Sequence, residues 1–221
     1  MTAPRQIIEH VPPLDSIGSC RAAFIRRIPG IDVTTEKAKA LALLEQAHAD
    51  ARAKLGILDW PLVTAEQVHG DRIAVIDNAI QHDECLSGYD GFVTNQRQIA
   101  LGIYVADCCA VYIVDPNTPA IGLVHSGKKG SALAIATKAI EKMAQHFGSR
   151  PGDLILYLSP CIRPPHYELD FAAQIRDQCR SAGLRHIHDS GICTACDLES
   201  YYSYRAEKGK TGRMLALLGL V

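Results

Sequence analysis

The feature that most limits this fold is a group of short segments that stay apolar at nearly every position. Residues 99–106, 110–114 and 120–125 show no polar–apolar alternation. A strand with one wet face alternates, so strands without alternation are covered on both faces. The chain must therefore place sheet between other layers. Further β-branched or apolar runs predict strands at 23–26, 61–68, 72–77, 91–94, 153–158 and 214–218. Three segments carry a helical rhythm. The first is 35–55, with Leu41, Leu44, His48, Ala51 and Leu55 on one face, Thr34 or Thr35 as cap and Gly56 as stop. The second is 131–147, with Leu133, Ala136, Ile140, Met143 and Phe147 on one face and Gly148 as stop. The third is 171–182, stopped by Gly183. Strands outnumber helices and many are joined by short turns, which predicts an α+β fold of mixed sheets with helices packed outside.

Composition narrows the function. The 221 residues are 48% apolar and 21% charged, with a formal net charge of −1, and no repeat or long linker divides them. A single domain over 1–221 is the simplest reading. A nucleic-acid binder would carry a basic excess or a basic face, so small molecules are the expected partners. The longest nearly apolar run, 99–114, is interrupted by Asp107 and is too short for a membrane span. Residues 1–16 contain no apolar core of a secretory signal, so the expected location is cytoplasmic. There the eight cysteines would be reduced thiols.

Three strand ends share one design: Gln67-Val68-His69-Gly70, Ala106-Asp107-Cys108, and Val124-His125-Ser126-Gly127. Ligand sites gather where strands give way to loops. Two imidazoles and a thiolate suit Zn²⁺, and three protein ligands with one open position is the catalytic arrangement. Spacing alone does not select the trio, because it matches no local zinc signature. A lone histidine at a strand end is usually just hydrogen-bonded, and a lone buried cysteine is usually packing.

Several stretches in order, from about Glu66 to Leu218, resemble the YfiH-like family. They are Gln67-Val68-His69-Gly70, Asp90-Gly91 with Thr94, Ala106-Asp107-Cys108, His125 with Gly127 and Gly130, Ser159-Pro160 with Tyr167-Glu168, Cys193-Thr194, and Tyr202-Ser203-Tyr204-Arg205 with Gly212-Arg213. The family is also called the laccase-domain or polyphenol oxidase family, and the purine nucleoside phosphorylase family. The resemblance implies a four-layer α/β/β/α arrangement and makes His69, Cys108 and His125 the metal ligands. It implies phosphorolysis of adenosine, inosine, guanosine and methylthioadenosine, deamination of adenosine, and in some bacterial members editing of peptidoglycan precursors. Zn²⁺ is expected rather than copper. A multicopper oxidase needs roughly ten histidines in paired motifs, whereas this chain has nine, scattered.

The remaining candidates follow from that chemistry. Zinc-assisted attack at C6 of adenine would follow other zinc deaminases. Phosphorolysis needs an anion site, and Gly127-Lys128-Lys129-Gly130 leads into the second helix, where free N–H groups, the helix dipole and Lys129 would favour phosphate. A solvated lysine pair is the plainer alternative. Arg205 and Arg213 are further anion candidates or else surface ion pairs. Asp107 could orient a ligand histidine or simply make the turn. Cys193 and Cys196 form a C-x-x-C, a weak signal on its own, read as buried or site-lining thiols. His48 reads as a satisfied core histidine.

The sequence departs from the family at the usual His-Ala-Gly-Trp-Arg-Gly turn, which here is His125-Ser126-Gly127-Lys128-Lys129-Gly130. Lysine keeps arginine's charge but not its bidentate fork. Two other functions fit the same residues. A thiol hydrolase would use Cys108 as nucleophile and His125 as base. A non-enzymatic protein would hold a structural zinc, with Cys109 as a possible fourth ligand.

Overall fold

The computed structural model describes residues 6–221, so residues 1–5 of the segment read for a secretory signal lie outside the described residues. Two six-stranded sheets carry the fold. One runs β1 (Ile8–Glu9), β2 (Cys20–Ile25), β12 (Met214–Leu220), β7 (Ala100–Val105), β3 (Leu62–Ala65), β5 (Glu84–Leu86). The other runs β11 (His186–Asp189), β10 (Ile155–Leu158), β8 (Cys109–Asp115), β9 (Ala120–Ser126), β6 (Gly91–Thr94), β4 (Ile73–Ile76). Both are mixed. In the first, β3 pairs in parallel with β7 and β5; in the second, β10–β11 and β4–β6 are parallel and the other pairs antiparallel.

The unbroken apolar segments behave as their patterning requires. Every residue of β8, β9 and β12 is buried. Phe24, Leu217, Tyr112 and Leu123 belong to a core shared by the two sheets, and Leu44 and Ala51 of α2 (Lys37–Lys54) join it with Leu101 and Ile103. On the far side of the second sheet, Val111 and Val124 pack with Ile140 of α4 (Ile135–Phe147) and Ile175 of α5 (Phe171–Ser181). The α/β/β/α order of layers follows.

Three short strands, β1, β5 and β11, fall outside the expected set, as does the one-turn α1 (Pro12–Asp15). β5 and β11 are partly exposed edge strands with polar residues, so they lack the apolar signal that marks the interior ones. Helix α2 starts at Lys37 with Glu36 at its N-cap and no side-chain cap, so neither Thr34 nor Thr35 serves.

The second expected helix is two. A five-residue α3 (Lys128–Ala132) stops before Ala134, which sits in the left-handed region at φ 54°, and α4 begins at Ile135. Gln174 and Gln178 of α5 donate to the Ser131 carbonyl at 3.4 and 2.9 Å, and the Ala134 N–H does so at 3.1 Å. That carbonyl is therefore engaged outside the regular i→i+4 ladder. Leu133, expected on the buried face, is 44% exposed as a result.

Candidate metal centre

Among the places where the chain crosses from one sheet to the other, two carry candidate ligands. His69 lies between β3 and β4; Cys108 lies between β7 and β8. Each crossing needs left-handed backbone at non-glycine residues: Gln67 at φ 61°, His69 at 59° and Asp107 at 85°. Such conformations cost about 1–3 kcal/mol each and persist only where the surroundings hold them. Here the holds are visible. The Gln67 side chain donates to the Tyr104 carbonyl (2.6 Å) and accepts from its N–H (3.2 Å), imitating a strand neighbour for β7. Asp107 accepts from Thr194 Oγ1 (2.8 Å) through one carboxylate oxygen and from the Arg205 N–H (2.7 Å) through the other.

The third candidate, His125, sits inside β9 with Ala110 of β8 as its cross-strand partner. The ligand atoms of His69, Cys108 and His125 all lie within 4.8 Å of one another, and the two imidazoles meet edge to face. A Cβ at Gly127 would run into the Cys108 sulfur, so glycine there lets the thiol close on the histidines.

Asp90, fully buried just before β6, organises this cluster. Its Oδ1 accepts from His125 Nδ1 and from the His69 N–H, both at 2.9 Å; its Oδ2 accepts from the Gly70 N–H at 2.7 Å. A carboxylate behind a histidine fixes tautomer and ring orientation and leaves the other nitrogen free to ligate. The role of orienting a histidine, considered above for Asp107, is thus filled by Asp90, while Asp107 holds the turn. Burial raises the Asp90 carboxyl, but the bonds from His125 and the two backbone N–H groups outweigh it and hold it below its ordinary range.

Cys108 and His125 favour each other's ionised forms. Burial opposes ionisation of the Cys108 thiol, yet the neighbouring His125 and His69 imidazoles bring it down to about 6. Burial likewise disfavours the His125 cation, yet the Cys108 thiolate and Asp90 raise it to about 9.

The trio forms part of the wall of a cavity of about 530 Å³, within the size range of small-molecule sites. Lys129, Arg205 and Arg213 line it, as do Lys37, Tyr167 and Tyr204, which the sequence reading did not single out as ligand-contacting residues. Lys37 sits at the start of α2 and donates to the Glu66 carbonyl at 2.9 Å. Arg213 donates to the Thr211 and Gly212 carbonyls, and burial pulls it below its ordinary value. Arg205 stacks 4.7 Å over the Tyr167 ring and shares Glu168 with Lys128, each at 3.2 Å. The anion pull expected from a long second helix is not available, since α3 is a single short turn; the positive charge at the cavity wall comes from side chains such as Lys37, Lys129 and Arg213.

Two other expectations are corrected. Cys109 belongs to the opposite face of β8, where its thiol bonds the Ala110 and Ser159 carbonyls at 3.4 and 3.7 Å. It is not a fourth ligand. Cys196 is exposed and Cys193 half-buried, and neither lines the cavity. All eight cysteines are free. His48 is buried as expected, but its Nε2 finds no partner among the described residues.

The family model described as Multi-copper polyphenol oxidoreductase laccase matches residues 34–174 and 166–221. The chain belongs to this laccase-type family. Its relatives in the family include proteins named purine nucleoside phosphorylase. One from Corynebacterium glutamicum is 30% identical over 205 residues, covering 79% of this chain and 82% of its own. One from Geobacillus stearothermophilus, YlmD, is 29% identical over 203 residues, covering 73% and 74%. Among solved structures, YlmD from G. stearothermophilus superposes with a TM-score of 0.83 at 22% identity, covering 98% of this chain and 99% of that one. YfiH from Bacillus licheniformis gives 0.79 at 24%, covering 94% and 98%. At that identity the superpositions speak for the fold, which is the laccase-type arrangement. No helix among the described residues is long and apolar enough to cross a membrane.

Proposed function

We propose that this protein is a zinc-dependent purine nucleoside phosphorylase with His69, Cys108 and His125 as metal ligands. The observation that carries it is the convergence of three ligand atoms within 4.8 Å on the wall of a cavity also lined by Lys129, Arg205 and Arg213. The names of the relatives supply the substrate class. The donor set suits one zinc-type ion better than a multicopper centre, because His69 and His125 are the histidines that line the cavity. A zinc ion so held supplies Lewis acidity toward a polar atom of the bound substrate.

The chain's own residues do the rest. Asp90 keeps His125 oriented, and Gly127 leaves room for the Cys108 sulfur. The aromatic faces of Tyr167 and Tyr204 offer contact area for a planar base. Lys129 and Arg213 offer charge to phosphate. Deamination of adenosine would use the same cavity.

Metal-stripped protein should release no purine base from adenosine or inosine, and zinc should restore phosphate-dependent release. Fully zinc-loaded protein that yields no base from any purine nucleoside would overturn the proposal. The Cys108–His125 charge pair favours one other reading, a thiol hydrolase with Cys108 as nucleophile. Activity that persists in chelator and is lost on alkylation of Cys108 would select it.

A further inference from the structure

The C-x-x-C left aside above meets a histidine on the surface. The turn Thr194–Cys196 is a single 3₁₀ turn, closed by Cys196 N–H donating to the Cys193 carbonyl at 3.1 Å. It turns both sulfurs toward the loop after β10, where His166 stands. His166 Nδ1 is 3.5 Å from Cys196 Sγ and 3.7 Å from Cys193 Sγ, and all three ligand atoms lie within 4.8 Å of one another.

Those separations fit thiol–imidazole hydrogen bonds in the metal-free protein and also fit two ligands of one ion. In tetrahedral zinc, a sulfur at about 2.3 Å and a nitrogen at about 2.0–2.1 Å from the ion stand about 3.5–3.6 Å apart. The frame is already built. Cys193 pairs with Cys161 in a parallel bridge, Thr194 N–H donates to the Cys161 carbonyl at 3.2 Å, and the Thr194 hydroxyl is anchored on Asp107. On the other side, Tyr167 N–H donates to the Arg163 carbonyl at 3.1 Å and closes the loop that carries His166. Free cysteine is ordinarily among the most buried residue types; here Cys196 is exposed and Cys193 half-buried, within reach of an ion from solvent.

We infer that His166, Cys193 and Cys196 form a second site, separate from the cavity, for a soft divalent cation of the zinc type. Two thiolates and one imidazole hold the ion and leave one position for solvent. The ion braces the loop ending at Tyr167 against the turn that holds Asp107, so it acts as a clamp behind the cavity rather than within it.

The test uses full-length, reduced, metal-stripped protein and the ions themselves, Co²⁺ and Zn²⁺. In Cys108→Ser, the cavity trio has no thiolate left. Co²⁺ added to this variant should still produce a thiolate-to-metal charge-transfer band, and Cys108→Ser/Cys196→Ser should lose most of it. Zinc should also protect about two thiols of Cys108→Ser from a thiol-alkylating reagent. His166→Ala should weaken zinc binding in the same background at least tenfold. Absence of the Co²⁺ band in folded Cys108→Ser overturns the inference. So does a band indifferent to Cys196→Ser, or zinc that leaves thiol reactivity unchanged. Because every arm is read in the Cys108→Ser background, the result is independent of whether the cavity processes nucleosides.

Discussion

The two His/Cys clusters use the same ligand types in opposite surroundings. The cavity cluster is assembled from three distant strand ends, has a fully buried carboxylate behind it, and requires left-handed backbone at His69. The surface cluster takes two ligands from one short turn and one from a neighbouring loop, and its His166 and Cys196 are exposed. A carboxylate-backed, buried cluster is organised before anything binds, and its thiol is already driven toward the thiolate by the imidazoles. The surface cluster has its backbone frame in place, and an ion there would add a direct tie between the loop and the turn. The difference separates a cluster suited to chemistry from one suited to bracing.

The largest effect that could break this comparison is expected at Asp90. Asp90→Ala strips acceptors from His125, His69 and Gly70 together and removes one of the two groups that favour the His125 cation. It should cost about 3–5 kcal/mol of stability and lower zinc affinity at the cavity by about a hundredfold, read by urea unfolding and by chelator competition. Asp90→Asn, which keeps an acceptor oxygen, should recover part of the loss. Unchanged zinc affinity in Asp90→Ala would show that the buried carboxylate does not organise the cluster.

His48 supplies a further acid effect, at a buried ring that packs on Tyr104 behind the cavity wall and is not itself one of the proposed ligands. Burial lowers its pKa from 6.5 to about 4, so the folded state binds fewer protons than the unfolded chain between those values. Its contribution is intact above pH 6.5 and is lost as pH falls toward 4, a change on the order of 3 kcal/mol. Thermal denaturation of metal-stripped protein should show this loss, and His48→Gln should remove most of that slope. A slope unaltered by His48→Gln would place the titration elsewhere.

Gly127→Ala should come next. The added methyl meets the Cys108 sulfur, and overpacking of this kind costs about 1–3 kcal/mol. Zinc affinity at the cavity should fall with it, while the Co²⁺ signal assigned to the surface cluster should not. The smallest effect is expected at Cys196. In metal-free protein, Cys196→Ser should change stability by less than about 0.5 kcal/mol, because an exposed thiol packs against little; a larger change in urea unfolding would show that the thiol itself supports the turn without an ion.

Much of the framework was legible in residue patterns. Strand 91–94 appears at the expected residues, and the unbroken apolar runs became fully buried β8 and β9. His69, Cys108 and His125 were legible through motif resemblance rather than spacing. The importance of Asp90 was only half visible: it stood in a motif, but nothing in one dimension ties it to His125. Ser131 looked like a helix residue, and its engagement by Gln174 and Gln178 depends on α5 packing beside it. Lys37 gave no signal because its role in the cavity comes from where α2 docks. His166 and the C-x-x-C were separately weak signals until the loop and the turn met.

The amino-acid sequence by itself determined which segments had to be interior sheet, where the main helices lie, and which residue types were available to hold an ion. Those properties follow from local chemistry: hydrophobic period, glycine stops, and the donor atoms of histidine and cysteine. Only the tertiary structure decided that two sheet crossings and one strand end meet at a single rim, that Asp90 rather than Asp107 backs the histidine, and that a second cluster forms on the far side of the Asp107 turn. Such meetings depend on layer order and strand register, which are set by burial summed over the whole core and leave no mark on the spacing of the residues they bring together.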